Sequence, residues 1–588
     1  MSIEAILVEA AIKAVKQLYN TDITDKQVQV QNTKPEFEGD LTIVVFPLLK
    51  ISKKSPEETA KDLGEAIQNS SPEISAFNVV KGFLNLSVSE KYWLNAFKNL
   101  NNTLPLPNPN SKILMVEYSS PNTNKPLHLG HARNIFLGHS VAEILKAAGN
   151  KVIKTQIIND RGIHICKSML AWMKWGNGET PQSTNEKGDH FVGRYYVLFE
   201  QYYKKEQQAL IAEGMSEKDA KTKAALFQEA SNLLRQWEAG DAKTVELWKT
   251  MNNWVYEGFD TTYKKFGVDF EKIYYESQTY ILGKKIVEEG LAKGVFFKKD
   301  DGSVWIDLTA DGLDEKLLLR SDGTSVYITQ DIGTAVDRYN DYKLDGIVYT
   351  VMNEQDYHFK VLFLILKKLG YSFWEGLFHL SYGMVELPSG RMKTREGTVV
   401  DADDLIDEMI ATSAQSTAEK GKLDELSSEE KNDVIRKIAI GALKYYMVKV
   451  DPKRSMLFNP EESIDFNGHT GPFIQYIYVR TRSLLRKIEN QDLSWSIETI
   501  SAKEKDLIKK ITDFPNAIKE AAKLHSPAII ANYCYDLAKD YSAFWSDHQI
   551  LKAEDNNIKN FRVVLSKSVG DTLAQGMNLL GIEMPERM

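Results

Sequence analysis

Apolar side chains follow two different periods along the chain, and the alternation between them predicts its main fold. Residues 112–120 form a short apolar run typical of a buried strand, and residues 137–148 carry apolar side chains at helical spacing. A second strand-like run occupies residues 151–160. A strand, a helix and a strand in this order are the unit of a parallel α/β sheet. The pattern therefore predicts such a sheet in this part of the chain.

The same patterns predict three domains. Residues 1–105 combine a helix with strand-like runs and are expected to form a small α+β domain. Residues 106–404 carry the parallel sheet, interrupted at about residues 172–265 by charged helical sequence that we expect to be a solvated insertion. Residues 405–588 are almost entirely helical and are expected to form a linker and a helical bundle. The predicted fold class is multidomain α/β plus all-α.

Further strands are predicted where short apolar runs are bounded by turn residues. They are residues 41–50 and 83–89 in the first domain, and residues 303–308, 325–331, 345–351 and 377–387 in the second.

Composition narrows the possible class of protein. With 43% hydrophobic and 26% charged residues the chain is expected to be globular. Its net charge of −8 argues against a surface that binds polyanions indiscriminately, but a local basic face can still bind nucleic acid. No run approaches the ~18 apolar residues of a membrane span. The start of the chain predicts an amphipathic helix and not a signal peptide. The two cysteines, Cys166 and Cys534, suit a reducing compartment and exclude an all-cysteine zinc site, so we expect a cytoplasmic location.

The turn after the first strand of the sheet carries two histidines. Pro126 begins the turn, and His128 and His131 fall on the same side of the following helix. A helix N-terminus favours phosphate, and Gly130 has no side chain to keep a base or ribose away from the backbone. Lys125 adds a third cation. The turn is therefore predicted to bind a triphosphate; the alternative is a histidine pair that only satisfies the start of the helix.

His128-Leu129-Gly130-His131 resembles the H-I-G-H signature of class I aminoacyl-tRNA synthetases. The longer string VEYSSPNTNKPLHLGHARN, at residues 116–134, resembles the version in arginyl-tRNA synthetases, and the similarity extends over essentially the whole chain. The resemblance implies a monomer with a Rossmann-type catalytic domain. It also implies ATP as a substrate accompanied by Mg²⁺, with L-arginine and tRNA(Arg) as the other substrates, and adenylate formation that waits for bound tRNA.

A second phosphate-binding loop is implied by the resemblance. Residues 390–407, GRMKTREGTVVDADDLID, resemble the region of the K-M-S-K-S signature, but lysines are missing from its first and fourth places. In this family the lysine before the first histidine is thought to compensate, and Lys125 fills that position. The implied catalytic cations are Lys125, His128, His131, Lys393 and Arg395. The implied ATP-binding residues are His128, Gly130, His131, Met392 and Lys393.

The pocket for arginine needs a carboxylate, because a guanidinium is planar and always charged. By resemblance, Asp331 is the first candidate and Glu117 the second, with Tyr327 packing alongside the guanidinium. Asn122 and Gln355 are expected to hold the α-amino and carboxylate ends of the amino acid. Ser120 completes the set of arginine-binding residues that the resemblance implies.

Two regions resemble the tRNA-binding parts of the family. Residues 1–105 are similar to its N-terminal additional domain, which is thought to meet the elbow of the tRNA. Residues 468–487 are similar to the opening helix of its anticodon-binding bundle. Aromatic side chains can stack unpaired bases while arginines contact phosphate. The predicted tRNA-binding residues of this helix are Phe473, Tyr476, Arg480 and Arg482.

Three alternatives stay open at this point. A small-molecule adenylyltransferase could share the turn and the sheet, but it would not need the helical C-terminal region. Cysteinyl-tRNA synthetases have a similar architecture, but their zinc-held thiolate pocket needs cysteines that this chain lacks. A catalytically silent tRNA-binding relative would keep the bundle and lose the two loops.

Overall fold

The computed structural model describes residues 3–34, 36–101, 103–386, 388, 400–418, 426–488 and 491–588. Backbone contacts divide the chain into two compact units. The first comprises Met1–Asn102, Ile488–Phe514 and Lys539–Val569, and the second comprises Thr103–Lys487, Pro515–Ala538 and Gly570–Met588.

The first unit begins with an α+β segment. Its helices and strands are α1 Ile3–Tyr19, β1 Gln29–Asn32, β2 Leu41–Val44, α2 Leu49–Ser52, α3 Pro56–Ser70, β3 Ile74–Val80, β4 Phe83–Val88 and α4 Glu90–Lys98. The strands form an antiparallel sheet in the order β1-β2-β4-β3. Helix α3 begins at a reciprocal cap, in which Ser55 and Glu58 each satisfy a backbone N–H of the other. The predicted strand at 83–89 is thus present as β4, whereas of the predicted strand at 41–50 only residues 41–44 form β2 and the run ends in helix α2.

Residues far apart in sequence complete this unit. Phe97, Trp495 and Phe561 pack against one another, and the ring centroid of Phe561 lies 5.9 Å from that of Phe97 and 5.0 Å from that of Trp495. Asp40, which is almost fully buried, forms ion pairs with Lys505 (2.9 Å) and Lys509. The C-terminal helical sequence therefore contributes to the same core as the N-terminal sheet.

The second unit contains the predicted α/β fold. Its elements up to residue 386 are β5 Ile113–Glu117, α5 Leu129–Ala147, β6 Lys151–Ile158, α6 Ile163–Trp175, α7 Pro181–Thr184, α8 Gly188–Ala212, α9 Glu217–Lys223, α10 Ala225–Glu238, α11 Ala242–Phe266, β7 Lys272–Tyr275, α12 Glu276–Thr279, α13 Gly283–Ala292, β8 Phe297–Lys298, β9 Val304–Ile306, β10 Lys316–Leu319, α14 Tyr327–Tyr342, β11 Gly346–Met352, α15 Asp356–Leu369, β12 Phe378–Tyr382 and β13 Val385–Glu386.

A parallel sheet in the order β12-β11-β5-β6-β7 forms the centre of this fold. Strand β5 lies between β11 and β6, with Val116 opposite Val348 on one side and Lys154 on the other. Helices α7 to α11 lie between β6 and β7 in the chain, so the predicted helical insertion is present. Because the carboxyl ends of parallel strands share one edge, the turns after β5, β6 and β11 can build one site.

One predicted strand is wrong. Residues 325–331 carry β-branched and aromatic side chains, but Tyr327 begins helix α14. Ile328, Ile332 and Ala335 are all buried on one face of that helix. Their spacing of four and three matches the helical period, and burial of this face outweighs the local preference for a strand.

The remaining described elements are helices apart from one short strand. They include α16 Ala402–Ala418, α17 Ser428–Val448, β14 Met456–Leu457, α18 Pro460–Ser463, α19 Gly471–Arg486, α20 Ala502–Leu524, α21 Pro527–Asp547 and α22 Asn556–Leu579. The predicted fold class, an α/β catalytic region with a small α+β region and a helical C-terminal region, is confirmed. Across the part of the chain that is described, helices long and apolar enough to span a membrane are absent.

Candidate functional site

The turn after β5 has an unusual backbone. Ser119 and Ser120 both have positive φ angles, of 78° and 27°, which non-glycine residues adopt only at a cost in free energy. Ser119 is held there by Asn134, whose Oδ1 accepts its N–H at 2.6 Å, and by a 2.7 Å hydrogen bond to the hydroxyl of Tyr263. The strained turn is thus fixed by α5 and by helix α11 of the insertion.

Glu117 ends β5 and is already paired within the protein. Its carboxylate forms an ion pair with Arg338 of α14, a guanidinium that is only 1% exposed. The hydroxyl of Ser120 donates to the other carboxylate oxygen of Glu117 at 3.4 Å. Glu117 was predicted as the second arginine-binding carboxylate, and in the structure the guanidinium of Arg338 already balances its negative charge.

His128 and His131 form a reciprocal cap at the start of α5. His128 is the N-cap residue, its Nδ1 accepts the N–H of Gly130 at 3.1 Å, and its own N–H donates to Nδ1 of His131 at 3.1 Å. A side chain at Gly130 would lie 3.0 Å from the His128 ring. Glycine is therefore needed here to let the His128 ring fold back onto the helix.

These hydrogen bonds fix the protonation of both rings. A ring nitrogen that accepts an N–H carries no proton, so each neutral imidazole has its proton on Nε2. Burial, together with Lys125, lowers the pKa of His128 to about 4 although Asp401 opposes this shift. Burial and the neighbouring His128 and Lys125 lower the pKa of His131 well below its usual value. The pair therefore offers two neutral Nε2–H donors at neutral pH.

Residues of helix α5 also form hydrogen bonds with the segments that precede and follow residues 387–399. The buried guanidinium of Arg133 donates to the carbonyls of Gly383 (2.7 Å) and Arg454 (2.7 Å). On the other side, the N–H of Leu129 donates to the carbonyl of Val400 at 3.1 Å. The predicted second-loop residues Met392, Lys393 and Arg395 lie outside the described residues.

A cavity of about 540 Å³ opens beside the histidine turn. Its lining includes Lys125, His128 and Asp401, and it also includes His190 and Arg194 from helix α8. The insertion was expected to be solvated surface, so its contribution to this cavity was missed. Gly193 permits the close approach of helix α8, since a side chain there would lie 2.9 Å from Pro126 of the turn, but one glycine in a helical run does not reveal this contact in the sequence.

A second cavity of about 640 Å³ contains the predicted arginine-binding residues Asn122, Tyr327 and Asp331. Tyr327 is 78% exposed, so its ring is available for contact. Glu276 also lines this cavity, and burial raises the pKa of its carboxyl. Asn122 and His164 line both cavities. The two cavities therefore adjoin each other, and each is lined by both basic and acidic side chains.

Asp331 is oriented by a neighbouring histidine that was missed from the sequence. Oδ2 of Asp331 lies 2.6 Å from Nε2 of His358, which is in the first turn of α15. Gln355 is exposed and lies just before this helix, and it is not among the residues that line the two cavities described here. His358 follows Gln355 by three positions in the sequence, which is the spacing that places two residues on one helical face.

Within the described ranges, one group of acidic and histidine side chains has the spacing of a metal site: Asp189, His190 and Asp403. The ammonium of Lys187 lies between its carboxylates, 2.9 Å from Asp189 and 2.6 Å from Asp403. These carboxylates are neutralised by a lysine and fit poorly as ligands of a resident metal ion.

The predicted tRNA-binding residues lie on α19 and are only partly exposed. Arg480 donates to the hydroxyl of Tyr476 at 3.0 Å. Arg482 forms an ion pair with Glu586 at 3.0 Å, and Phe473 packs 5.6 Å from Tyr535. The structure thus brings all four residues to one helix but engages each with neighbours in the protein.

A parallel sheet with a His-x-Gly-His turn at the start of its first helix suits the catalytic domain of a class I aminoacyl-tRNA synthetase and also a small-molecule adenylyltransferase, and the comparisons with known proteins separate the two classes. Three family models match the chain: "tRNA synthetases class I (R), catalytic domain" at residues 98–459, "DALR anticodon binding domain" at 474–588 and "Arginyl tRNA synthetase N terminal domain" at 2–88.

Proteins named arginine–tRNA ligase in Parabacteroides distasonis and Porphyromonas gingivalis are 56% and 55% identical to this chain, over 100% of both chains in each case. The solved structure of Thermus thermophilus arginyl-tRNA synthetase has a TM-score of 0.82 and 25% identity and covers both chains fully. The chain belongs to the arginyl-tRNA synthetase family. This membership decides against an adenylyltransferase and against a cysteinyl-tRNA synthetase.

Proposed function

We propose that the two adjoining cavities hold ATP and arginine for the first half of the family's reaction. The chain catalyses ATP-dependent activation of L-arginine and its transfer to tRNA(Arg), with release of AMP and pyrophosphate. The observation that carries the assignment of the site is the pair of shared residues, Asn122 and His164. They line both the cavity beside the histidine turn and the cavity that contains Asp331.

Arginine would lie in the 640 Å³ cavity with its guanidinium against Asp331. A carboxylate can accept two parallel hydrogen bonds from a guanidinium, and the exposed ring of Tyr327 can stack on its planar face. Asn122, at the boundary between the cavities, would hold the amino-acid end. Ser120 and Gln355 complete the proposed set, and Glu117 acts indirectly, through its ion pair with Arg338.

ATP would lie in the 540 Å³ cavity beside the start of α5. An oxygen of the arginine carboxylate attacks the α-phosphorus, and the bond from that phosphorus to the departing pyrophosphate breaks. Charge accumulates on the phosphate oxygens, where the Nε2–H groups of His128 and His131 and the ammonium of Lys125 can stabilise it. Lys393, Arg395 and Met392 remain proposed contacts in the second loop, and Gly130 a proposed contact of the nucleotide.

Magnesium is proposed to enter with ATP. Mg²⁺ usually keeps several waters and binds through substrate phosphates with one or two carboxylates. Because Lys187 neutralises Asp189 and Asp403, the ion would be held mainly by phosphate oxygens and water. Its chemistry is to neutralise the charge of the triphosphate.

The same proposal covers the regions that bind tRNA, the oligomeric state and the location of the protein. Residues 1–105 and 405–588 would bind tRNA, and residues 106–404 would form the catalytic region. Phe473, Tyr476, Arg480 and Arg482 would contact the anticodon region after exchanging some of their internal partners. We propose a monomer in the cytoplasm. Sedimentation of the purified chain as a particle of twice its 66.7 kDa mass would contradict the monomer.

Two substitutions test the assignment of the cavities in steady-state arginylation. Asp331→Asn is expected to raise the KM for arginine at least ~100-fold, because the guanidinium loses its charged partner. His128→Asn is expected to lower kcat by about 10²-fold with little change in the KM for arginine. If Asp331→Asn changed the KM for ATP instead, the two cavities would be assigned the wrong way round.

A further inference from the structure

Asp403 is a buried carboxylate that collects four donors from the helical insertion. Its side chain is 10% exposed and lies at the start of α16. Lys187, next to α8, donates at 2.6 Å, and Lys265 of α11 donates at 2.8 Å. The hydroxyl of Thr262 donates at 3.2 Å, and Nε2 of His190 lies 3.3 Å away.

Asp401 extends this cluster to the start of α16. Its Oδ1 accepts the N–H of Asp403 at 2.7 Å and so caps the helix. Its Oδ2 lies 3.3 Å from Nε2 of His190, the same nitrogen that contacts Asp403. One imidazole of the insertion therefore binds both carboxylates at the start of α16.

The same segment is hydrogen-bonded to the histidine turn. Asp401 pairs with His128 in an isolated antiparallel bridge. The N–H of Leu129 donates to Val400, and the N–H of Ala402 donates to the carbonyl of Leu127 at 2.9 Å. The backbone at 400–402 thus connects the charged cluster to the residue that begins α5.

The charges of the cluster match. Lys187, Lys265 and His190 face Asp189, Asp401 and Asp403, so three cations meet three carboxylates. Hydrogen bonds to Asp401 and Asp403 raise the pKa of His190 to about 10, which keeps it protonated. Burial alone would raise the pKa of Asp403, but the donors from His190, Lys187 and Lys265 bring it below its usual value. Removing one member leaves buried charge without its partner.

We propose that Asp403 is a positioning residue for adenylate formation, which fixes the 400–402 backbone, and through it the His128 turn, to helices α8 and α11 of the insertion. The proposal rests on the proposed role of His128 in ATP binding. It gives the insertion a function in the ATP cavity, beyond that of a solvated surface. A group that orients a catalytic turn matters because a displacement of about 1 Å can cost up to ~10²-fold in rate.

Asp403→Asn tests this role in steady-state arginylation with tRNA. The amide keeps the shape of the side chain but loses the charge that holds Lys187, Lys265 and His190. We expect the KM for ATP to rise about tenfold or more and kcat to fall, with the KM for arginine unchanged. Asp403→Glu retains the charge and is expected to recover part of the loss.

A milder pair of variants covers the case in which Asp403→Asn fails to fold. Lys265→Met removes one partly exposed donor to Asp403, and Lys264→Met removes the neighbouring lysine, which pairs with Asp260 on the surface. We expect Lys265→Met to raise the KM for ATP and Lys264→Met to leave it unchanged. In the Asp403→Asn background, Lys265→Met should add nothing, because both act through one contact.

Two outcomes would overturn the proposal. One is an unchanged KM for ATP in both Asp403→Asn and Lys265→Met. The other is a fall in kcat alone, by the same factor as the loss of folded protein measured by thermal unfolding. That pattern would mean that Asp403 is needed only for stability. A failure of the proposed role of His128 in ATP binding can be told apart from a failure of this proposal. In that case His128→Asn would leave arginylation intact, whatever the effect of Asp403→Asn.

Discussion

His128 and His131 show how a helix start can prepare two uncharged donors, here for the triphosphate that we propose binds beside them. Backbone N–H groups of the protein occupy Nδ1 of both rings, so the proton of each ring is directed to Nε2. The histidine pair does satisfy the start of the helix, as the structural alternative supposed, and this capping is also what orients the rings. The two readings of the sequence motif are therefore compatible.

The protonation of His128 can be measured directly. In protein labelled with ¹³C at histidine Cε1, we expect the His128 signal to keep its neutral-form shift down to about pH 5 and to titrate near pH 4. The physical cause is burial beside Lys125, which disfavours the charged form. His128→Asn assigns the signal. Titration of the His128 signal near pH 6.5, the ordinary value for histidine, would contradict the neutral pair.

His358 is expected to tune arginine recognition through Asp331. His358→Asn removes the 2.6 Å contact that orients the Asp331 carboxylate. We expect the KM for arginine to rise about tenfold, equivalent to ~1.4 kcal/mol, while the KM for ATP stays the same. Steady-state arginylation measures both constants.

His379→Asn is the matched control for this substitution. His379 pairs with Asp356 at 3.1 Å and not with Asp331. An equal rise in the KM for arginine in both variants would mean that His358 acts only by supporting the local fold.

Among the helices and strands, sequence periodicity located the sheet and the long helices but assigned the start of one helix as a strand. The run at 325–331 has the side chains of a strand, and the buried face of α14 decided against it. The turn at 126–131 was found because its residues are adjacent in the sequence. The cluster around Asp403 was not found, because Lys187, Thr262 and Lys265 reach it from helices more than a hundred residues away in the chain.

Helix α17 carries a buried lysine that gives the protein a distinctive pH dependence of stability. Lys444 is 2% exposed and donates to the carbonyl of Gly581, and burial lowers its pKa to about 7. In the unfolded chain a lysine holds its proton up to about pH 10.4. Between pH 7 and pH 10 the unfolded state therefore binds more protons, so this group makes stability rise with pH.

Lys444→Met is expected to flatten that rise. The free energy of unfolding, measured by urea denaturation of the full chain at several pH values, should increase less between pH 7 and pH 10 in the variant than in the wild type. At pH 7 and below, the variant should be at least as stable, because it buries no charge. Lys437→Met, which removes a lysine paired with Asp433 on the same helix, controls for the loss of a surface charge. Parallel pH profiles for wild type and Lys444→Met would contradict the assignment.

The two compact units are built from segments that are not contiguous in the chain, and this could not be read from periodicity. The hydrophobic pattern reports which face of an element is buried but not which partner covers it. Residues 488–514 and 539–569 read as parts of a helical bundle, whereas their contacts place them in a unit with the N-terminal sheet. Asp40 and Lys509 are oppositely charged, yet their pairing gives no signal in a single sequence.

Asp40 tests this division of the chain. Asp40→Asn leaves Lys505 and Lys509 without their buried partner, and we expect the free energy of unfolding to fall by about 3 kcal/mol. Glu9→Gln removes an exposed ion pair with Lys13 in the same unit and should cost less than ~1 kcal/mol. Urea denaturation followed by tryptophan fluorescence measures both. Equal stability of the two variants would show that the contacts between Asp40 and the C-terminal segment contribute little.

The most direct test of the whole account is ATP–pyrophosphate exchange by the purified chain with each amino acid in turn, with and without tRNA from a matching cell extract. We predict exchange with arginine alone, and only when tRNA is present. Exchange with arginine in the absence of tRNA would keep the substrate and remove the proposed dependence on tRNA. Exchange with another amino acid, or no exchange under any condition, would contradict the central claim that this site activates arginine.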